Sequence, residues 1–184
     1  MSRTSFLKYC QLAYLSTPAQ ERSLYRQMAK KQPTRILEIG LGVGVRSLRM
    51  FDIARRYCDA KQIVYTGIDP FESRQSESPS LSMKDAYKLL RQQGVKVKLV
   101  PGATLAAMTM TANSLANTDL IVIDAEVSHA DLEKAWRYFP RMMHENSLIL
   151  RQMSDQQKLR FQELSLADVQ LLIDESADRA VKAA

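Results

Sequence analysis

Acidic residues and glycines recur in this sequence at the ends of short apolar runs. Arg35-Ile36-Leu37-Glu38-Ile39 leads directly into Gly40-Leu41-Gly42-Val43-Gly44. The next branched run, Ile63-Val64-Tyr65-Thr66-Gly67-Ile68, stops at Asp69-Pro70, and Leu120-Ile121-Val122-Ile123 stops at Asp124. Glycines at a strand-to-helix turn open backbone conformations closed to other residues, and they let a ligand lie against the main chain. A lone GxGxG is more often an ordinary turn. Glu38 just before the first glycine and Asp69 at the end of the next run lift this one toward ligand binding. His129, a little past Asp124, is the only candidate general base. Its place in the first turn of a helix suits a solvated side chain better.

These residues need a scaffold that brings strand ends together. From Arg35 onward, strand-like and helix-like segments alternate. Strands are expected at 36–39, 63–68, 95–100, 120–123 and 147–150, and a sixth at 169–174. Helical spacing covers about 45–57 and 83–93, with weaker signals at 104–115, after Ser128, and from Ser154 to Leu164. Thr17-Pro18-Ala19-Gln20 has the composition of a helix start. Five strands alternating with helices predict an α/β fold, a three-layer α/β/α arrangement around a mostly parallel sheet of six to seven strands. In such a sheet, ligands bind beyond the carboxyl ends of the strands, near the point where strand order reverses. Glu38, Gly40, Asp69, Gly102 and Asp124 all fall at those ends.

The ligand class can be narrowed from spacing. A dinucleotide fingerprint wants GxGxxG, with its third glycine where Val45 stands, and an acidic ribose partner about 20 residues on. Here Asp69 lies 25 residues past Gly44. A phosphate-cradling loop would need Lys-Ser or Lys-Thr after the glycines, and there is none.

Composition sets outer limits. The chain has 184 residues, 46% of them hydrophobic and 25% charged, as expected of one soluble domain with a real core. Two cysteines, Cys10 and Cys58, have no metal-ligand spacing and suggest no disulfide framework, so a reducing cytoplasm is the expected compartment. The net charge of +6 is concentrated in residues 1–34, which hold six basic side chains against Glu21 alone. Such a leader reads as a pair of solvated helices, with a transit peptide or a nucleic-acid arm as alternatives. The uncharged stretch from Leu99 to Thr118 carries Pro101, Gly102 and many polar residues, so no membrane span is expected.

Glu38-Ile39-Gly40-Leu41-Gly42-Val43-Gly44 resembles motif I of the class I S-adenosylmethionine (SAM)-dependent methyltransferases. Gly67-Ile68-Asp69-Pro70-Phe71 is similar to their second motif, and Asp119-Leu120-Ile121-Val122-Ile123-Asp124-Ala125 to their fourth. The resemblance covers about residues 34–151, and it divides a single domain into leading helices (1–34), a cofactor core (35–151) and a C-terminal helix, strand and tail (152–184). It implies a Rossmann-like sheet closed by a last, antiparallel strand, with SAM as cofactor; about ten residues follow the expected sixth strand, so a sheet of six strands without that last one is the alternative to seven. It also implies roles. Gly40, Gly42 and Gly44 admit the methionine and ribose parts, and Glu38 faces the ammonium through water. Asp69 accepts from the ribose hydroxyls, and Pro70 and Phe71 pack on adenine. Gly102 and Ala103 run along the adenine edge, and Asp124 with Ala125 sits near the transferable methyl.

Departures narrow the reading. Ala103 stands where the family often has an adenine-binding Asp. Leu150 is followed by Arg151-Gln152, without the metal-binding carboxylate of catechol-type members, so no metal is expected. The motifs of the nucleobase enzymes are absent after Asp124. The resulting expectation is methyl transfer to a small-molecule acceptor. The alternatives are a cofactor-binding or scaffold protein without turnover, and an RNA methyltransferase guided by the basic leader. A second copy covering the sheet edge would make a homodimer. Arg46 and Arg49 are expected to be solvated, and Met108, Met110, Met142 and Met143 to fill the core.

Overall fold

A computed structural model describes residues 3–74, 78–155 and 158–182. Its centre is a six-stranded sheet: β1 (Arg35–Ile39), β2 (Val64–Asp69), β3 (Lys96–Pro101), β4 (Leu120–Ile123), β5 (Leu148–Asp155) and β6 (Lys158–Leu164). The order across the sheet is β3-β2-β1-β4-β5-β6, parallel except for β6, which runs antiparallel to β5. The order reverses between β1 and β4.

Strict alternation along the parallel strands builds two cores. Ile36, Tyr65, Leu120, Val122, Leu148 and Leu150 face one side, where they meet the leading segment, α2 (Glu21–Lys31), α3 (Val45–Ala54) and α4 (Met83–Arg91). Leu37, Ile39, Ile68, Ile121, Ile123 and Ile149 face the other, packed against α5 (Thr104–Thr111), α6 (His129–Ala135) and α7 (Leu166–Lys182). A short helix, α1 (Phe6–Cys10), continued by a wider turn over Gln11–Leu15, precedes α2. Among the described residues no helix is long and apolar enough to cross a membrane.

Register lines up the chemistry-bearing strand ends. Ile39 pairs with Ile68 on one side and with Ile123 on the other. Gly40, Asp69 and Asp124 are therefore the next row, at the switch point.

The C-terminal third differs from expectation in a specific way. The helix expected over 154–164 is the end of β5 and the whole of β6, and the strand expected over 169–174 lies inside α7. Residues 156–157 of that expected helix lie outside the described set. Leu166, Val169, Leu172 and Ile173 share one helical face against the second core. The start of α7 has a signal in the sequence. Ser165 caps it, with its amide and hydroxyl donating to Asp168 Oδ2 at 2.7 and 2.6 Å. Val169-Gln170-Leu171-Leu172-Ile173 reads as a strand because Leu171, 62% exposed on the helix, is as apolar as the core-facing positions around it. At the other end of the chain, α2 begins at Glu21, later than the Thr17 start that the composition suggests.

Candidate functional site

Period-two alternation decides where the first carboxylate points. Glu38 shares a face with Ile36, so it turns into the α3 layer and has no exposed surface. Arg46 Nε donates to its Oε1 at 2.7 Å. The hydroxyls of Ser47 and Tyr65 donate to its Oε2 at 2.5 and 2.6 Å. Burial and the Glu38 charge push the Tyr65 phenol well above its ordinary range, so it stays a donor. Three donors saturate Glu38. The carboxylate that reaches open space at this strand row is Asp124.

Arg46 is the residue that sequence reasoning missed. Expected in solvent, it is 7% exposed. It occupies the first turn of α3, directly after the glycine turn, and folds back over the end of β1. Its Nη1 donates to Asp124 Oδ2 at 2.8 Å and to Gln152 Oε1 at 3.3 Å, and its Nη2 donates to the Gly40 carbonyl at 2.7 Å. Burial works against its charge. Glu38 and Asp124 more than offset that, holding the guanidinium charged beyond the ordinary arginine range. Arg49 is also engaged, donating to Glu21 at 3.0 Å and to the Thr17 carbonyl at 2.8 Å.

Asp69 is 1% exposed, and both of its oxygens have partners. Oδ2 accepts from Leu41 N at 2.6 Å, from Gly42 N at 3.4 Å and from Arg74 Nη2 at 2.5 Å. Oδ1 accepts from Phe71 N at 2.8 Å. The Arg74 Nη1 reaches on to Glu126 at 2.9 Å, while the buried Nε of Arg74 has no partner among the described residues.

Two cavities flank this row. The first, about 550 Å³, lies against Gly40, Ile68, Pro70, Arg74, Gly102, Ala103 and Thr104, with Glu126, Val127 and Ser128 opposite. The second, about 450 Å³, is walled by Glu21, Arg46, Asp124, Ala125, Gln152 and Leu159, and Glu126 lines both. Both volumes lie in the range of small-molecule sites. Of the expected site residues, Gly40, Pro70, Gly102 and Ala103 meet on the first cavity, and Asp124 and Ala125 on the second. The Phe71 side chain is buried in the first core instead. His129 is 69% exposed beside Glu133 and lines neither cavity. His144 sits at the far edge of the sheet, 3.1 Å from Asp119. Met108, Met142 and Met143 fill the second core, whereas Met110 is exposed.

The backbone suits a flat ligand. Gly40, Gly42 and Gly102 have φ of +86°, +57° and +123°. A Cβ on Gly40 would meet Asp124 Cβ at 2.6 Å, so no side chain fits there. Cβ atoms on Gly42 and Gly102 would meet nothing within 4 Å, so their main chain faces open space. This cradle fits an adenosyl group, with Arg74 as the one side chain that a ribose would have to displace from Asp69. Among the described residues, no three His, Cys, Asp or Glu side chains are grouped to hold a metal ion.

No family model matches the sequence, and no curated protein matches it. Solved structures do match in shape. The O-methyltransferase TomG of Streptomyces achromogenes, solved in complex with SAM, superposes with a TM-score of 0.56 at 16% identity, covering 94% of this chain and 75% of its own. A Staphylococcus aureus protein described as a caffeoyl-CoA O-methyltransferase gives 0.55 at 18% identity, covering 74% of this chain. MycE from mycinamycin biosynthesis, solved with Mg, SAH and mycinamycin VI, gives 0.54 at 15% identity, covering 82% of this chain. This chain spans 58% of the Staphylococcus protein and 40% of MycE. The sheet order, the glycine turn at the switch point and these superpositions agree: the chain has the fold of the class I SAM-dependent methyltransferases.

Proposed function

We propose that the chain binds SAM and is a methyltransferase acting on a small-molecule acceptor. One observation carries this reading. The main chain of Gly40 and Gly102 borders a cavity at the carboxyl ends of β1, β2 and β3, and Asp124 lines a second cavity that shares Glu126 with the first. One cavity suits a nucleoside and the other an acceptor.

The chain's own part is positioning, which supplies most of the acceleration in an in-line displacement. The cofactor, when bound, supplies an electrophilic methyl. Gly40 and Gly42 would hold the cofactor through the main chain, and Pro70, Gly102 and Ala103 would border its base. Asp69, an acceptor-only group, would exchange Arg74 for the two donors of the sugar hydroxyls. Asp124 and Ala125 wall the acceptor side. His129 faces solvent, so the reading assigns it no proton transfer. The leader supports a small molecule over RNA. Lys8 pairs with Asp52, and Arg22 and Arg26 donate to the Ser16 and Ala13 carbonyls, so three of its cations are engaged within the chain.

A second reading, the same ligand held without turnover, draws support from Arg74, which closes the sugar-binding carboxylate. Calorimetry with SAM and S-adenosylhomocysteine (SAH), followed by transfer of labelled methyl to a panel of hydroxyl and amine acceptors, tests both. Micromolar binding with turnover is the expected result. Binding without turnover across the panel favours the second reading, and no binding by either compound overturns both.

A further inference from the structure

Three parts of the chain wall the second cavity. Glu21 comes from the first turn of α2, Arg46 and Asp124 from the switch point, and Gln152 and Leu159 from β5 and β6. The β5–β6 pair reaches there by overrunning the parallel strands. Ile123 pairs with Arg151 at the end of β4, whereas β5 continues to Asp155 against β6. Gln152 therefore stands in the row of Asp124, on the face that Leu148 and Leu150 give to the first core.

Two side chains of this wall are more than nine-tenths buried and still hold an open polar atom. Gln152 is 7% exposed and Glu21 is 8% exposed. Arg46 Nη1 donates to Gln152 Oε1 at 3.3 Å, which turns the amide nitrogen away from the guanidinium. Among the described residues that nitrogen has no hydrogen-bond partner. Tyr25 and Arg49 both donate to Glu21 Oε2, and among the described residues nothing donates to Oε1. Charge is unbalanced as well. In the ion pairs around the two cavities, five carboxylates share three guanidiniums.

We propose that the acceptor is a molecule carrying both a hydroxyl group and a protonated amine, an amino alcohol or an amine-bearing phenol. This inference rests on the assignment of the second cavity to the acceptor and names the chemical class that it takes. A hydroxyl both donates and accepts, so it suits the Asp124 end. Its oxygen takes the open Gln152 donor, and its hydrogen turns to Asp124, whose side chain is 24% exposed. One guanidinium nitrogen already holds Asp124 and Gln152 together, so both are in place before a ligand arrives. An ammonium there would leave the Gln152 donor facing another donor. Glu21 Oε1 is an acceptor of full charge and suits the ammonium, in a charge-assisted bond about twice as strong as a neutral one. A carboxylic acid or phosphate ester would bring further negative charge to a wall that already has an excess. Leu159 and Ala125 add apolar surface for the carbon skeleton.

Calorimetry on the full chain saturated with SAH tests this with three probes of one shape. Tyramine carries both groups, 4-ethylphenol the hydroxyl alone, and 2-phenylethylamine the ammonium alone. Tyramine is expected to bind at least about tenfold more tightly than 4-ethylphenol, the effect of one charge-assisted bond, and several-fold more tightly than 2-phenylethylamine. Glu21→Gln should remove the advantage over 4-ethylphenol while leaving 4-ethylphenol itself within about twofold. Gln152→Leu should remove the advantage over 2-phenylethylamine. Equal affinities of the three probes for the unmodified chain overturn the proposal without any variant, as does absence of binding by all three. Either result leaves the nucleoside reading standing, because SAH is bound throughout. Equal losses for all three probes in Glu21→Gln also overturn it, by assigning Glu21 a purely structural role. Failure of SAH itself to bind overturns the nucleoside reading and the acceptor assignment together.

Discussion

Asp69 Oδ2 accepts a hydrogen bond from the backbone amide of Leu41 at 2.6 Å, so the carboxylate ending β2 ties down the glycine turn that follows β1. One side chain thereby shapes the cradle and offers the acceptor expected to grip a sugar. Asp69→Ala should cost about 1–3 kcal/mol of unfolding free energy, since it strands buried amides of the turn. It should also abolish nucleoside binding. Urea denaturation and calorimetry separate the two effects, and a variant as stable as the unmodified chain would contradict the tether.

Arg74 competes with a ligand for that carboxylate. Removing it in Arg74→Ala frees Asp69 and Glu126 at once. Nucleoside affinity should rise by roughly fivefold, the equivalent of about 1 kcal/mol of ion pair given up in the unmodified chain. A fall in affinity would instead make Arg74 a ligand contact.

Glu38 depends on Tyr65 for one of its three donors. Tyr65→Phe leaves a fully buried carboxylate short of a partner and should lower stability by about 1–3 kcal/mol, read as a drop in the urea midpoint at constant slope. Phe51, whose ring meets Tyr65 edge-on at 5.0 Å between centroids, keeps its contact in that variant.

At the opposite end of the sheet, Asp119 joins three segments. Burial would raise its carboxyl, but the amides of Arg35 and Thr34 and the His144 ring, all within hydrogen-bonding distance, hold it below its ordinary value of 3.8. A depressed carboxyl contributes stability that is complete above its unfolded value and is lost as pH falls through the lower folded one. Unfolding free energy should therefore decline below about pH 4. Asp119→Asn should flatten that decline, as followed by urea melts at stepped pH.

The cap of α7 offers a local test. Ser165→Ala removes the hydroxyl paired with Asp168 and should cost about 1 kcal/mol. Fraying of α7 would then appear as faster amide exchange over its first turn.

Much of the architecture was legible because its cause is local. Branched apolar or alternating runs of four to six residues announce parallel strands, the first four ended by Gly, Asp or Pro, and the β1–β5 segments follow them within a residue or two at most ends. The gathering of Gly40, Asp69, Gly102 and Asp124 at one rim was legible for the same reason. In a parallel sheet, strands of similar length in register finish together. The reversal of strand and helix after residue 155 was not legible. Short mixed segments such as 159–164 (Leu-Arg-Phe-Gln-Glu-Leu) and 169–173 (Val-Gln-Leu-Leu-Ile) fit either element, and only pairing with β5 or burial against the second core chooses between them.

The sequence by itself determined the layers, the glycine turn and the acidic residues along its rim, since those follow from periodicity and from the backbone freedom of glycine. Only the tertiary structure decided which charges meet. Arg46 and Asp124 are 78 positions apart, and Thr34 and Asp119 are 85 apart. A solvated arginine in the first turn of a helix and a buried one read identically along the chain. What separates them is the free energy of desolvating a guanidinium, which becomes acceptable only once folding has brought Glu38, Gly40 and Asp124 around it.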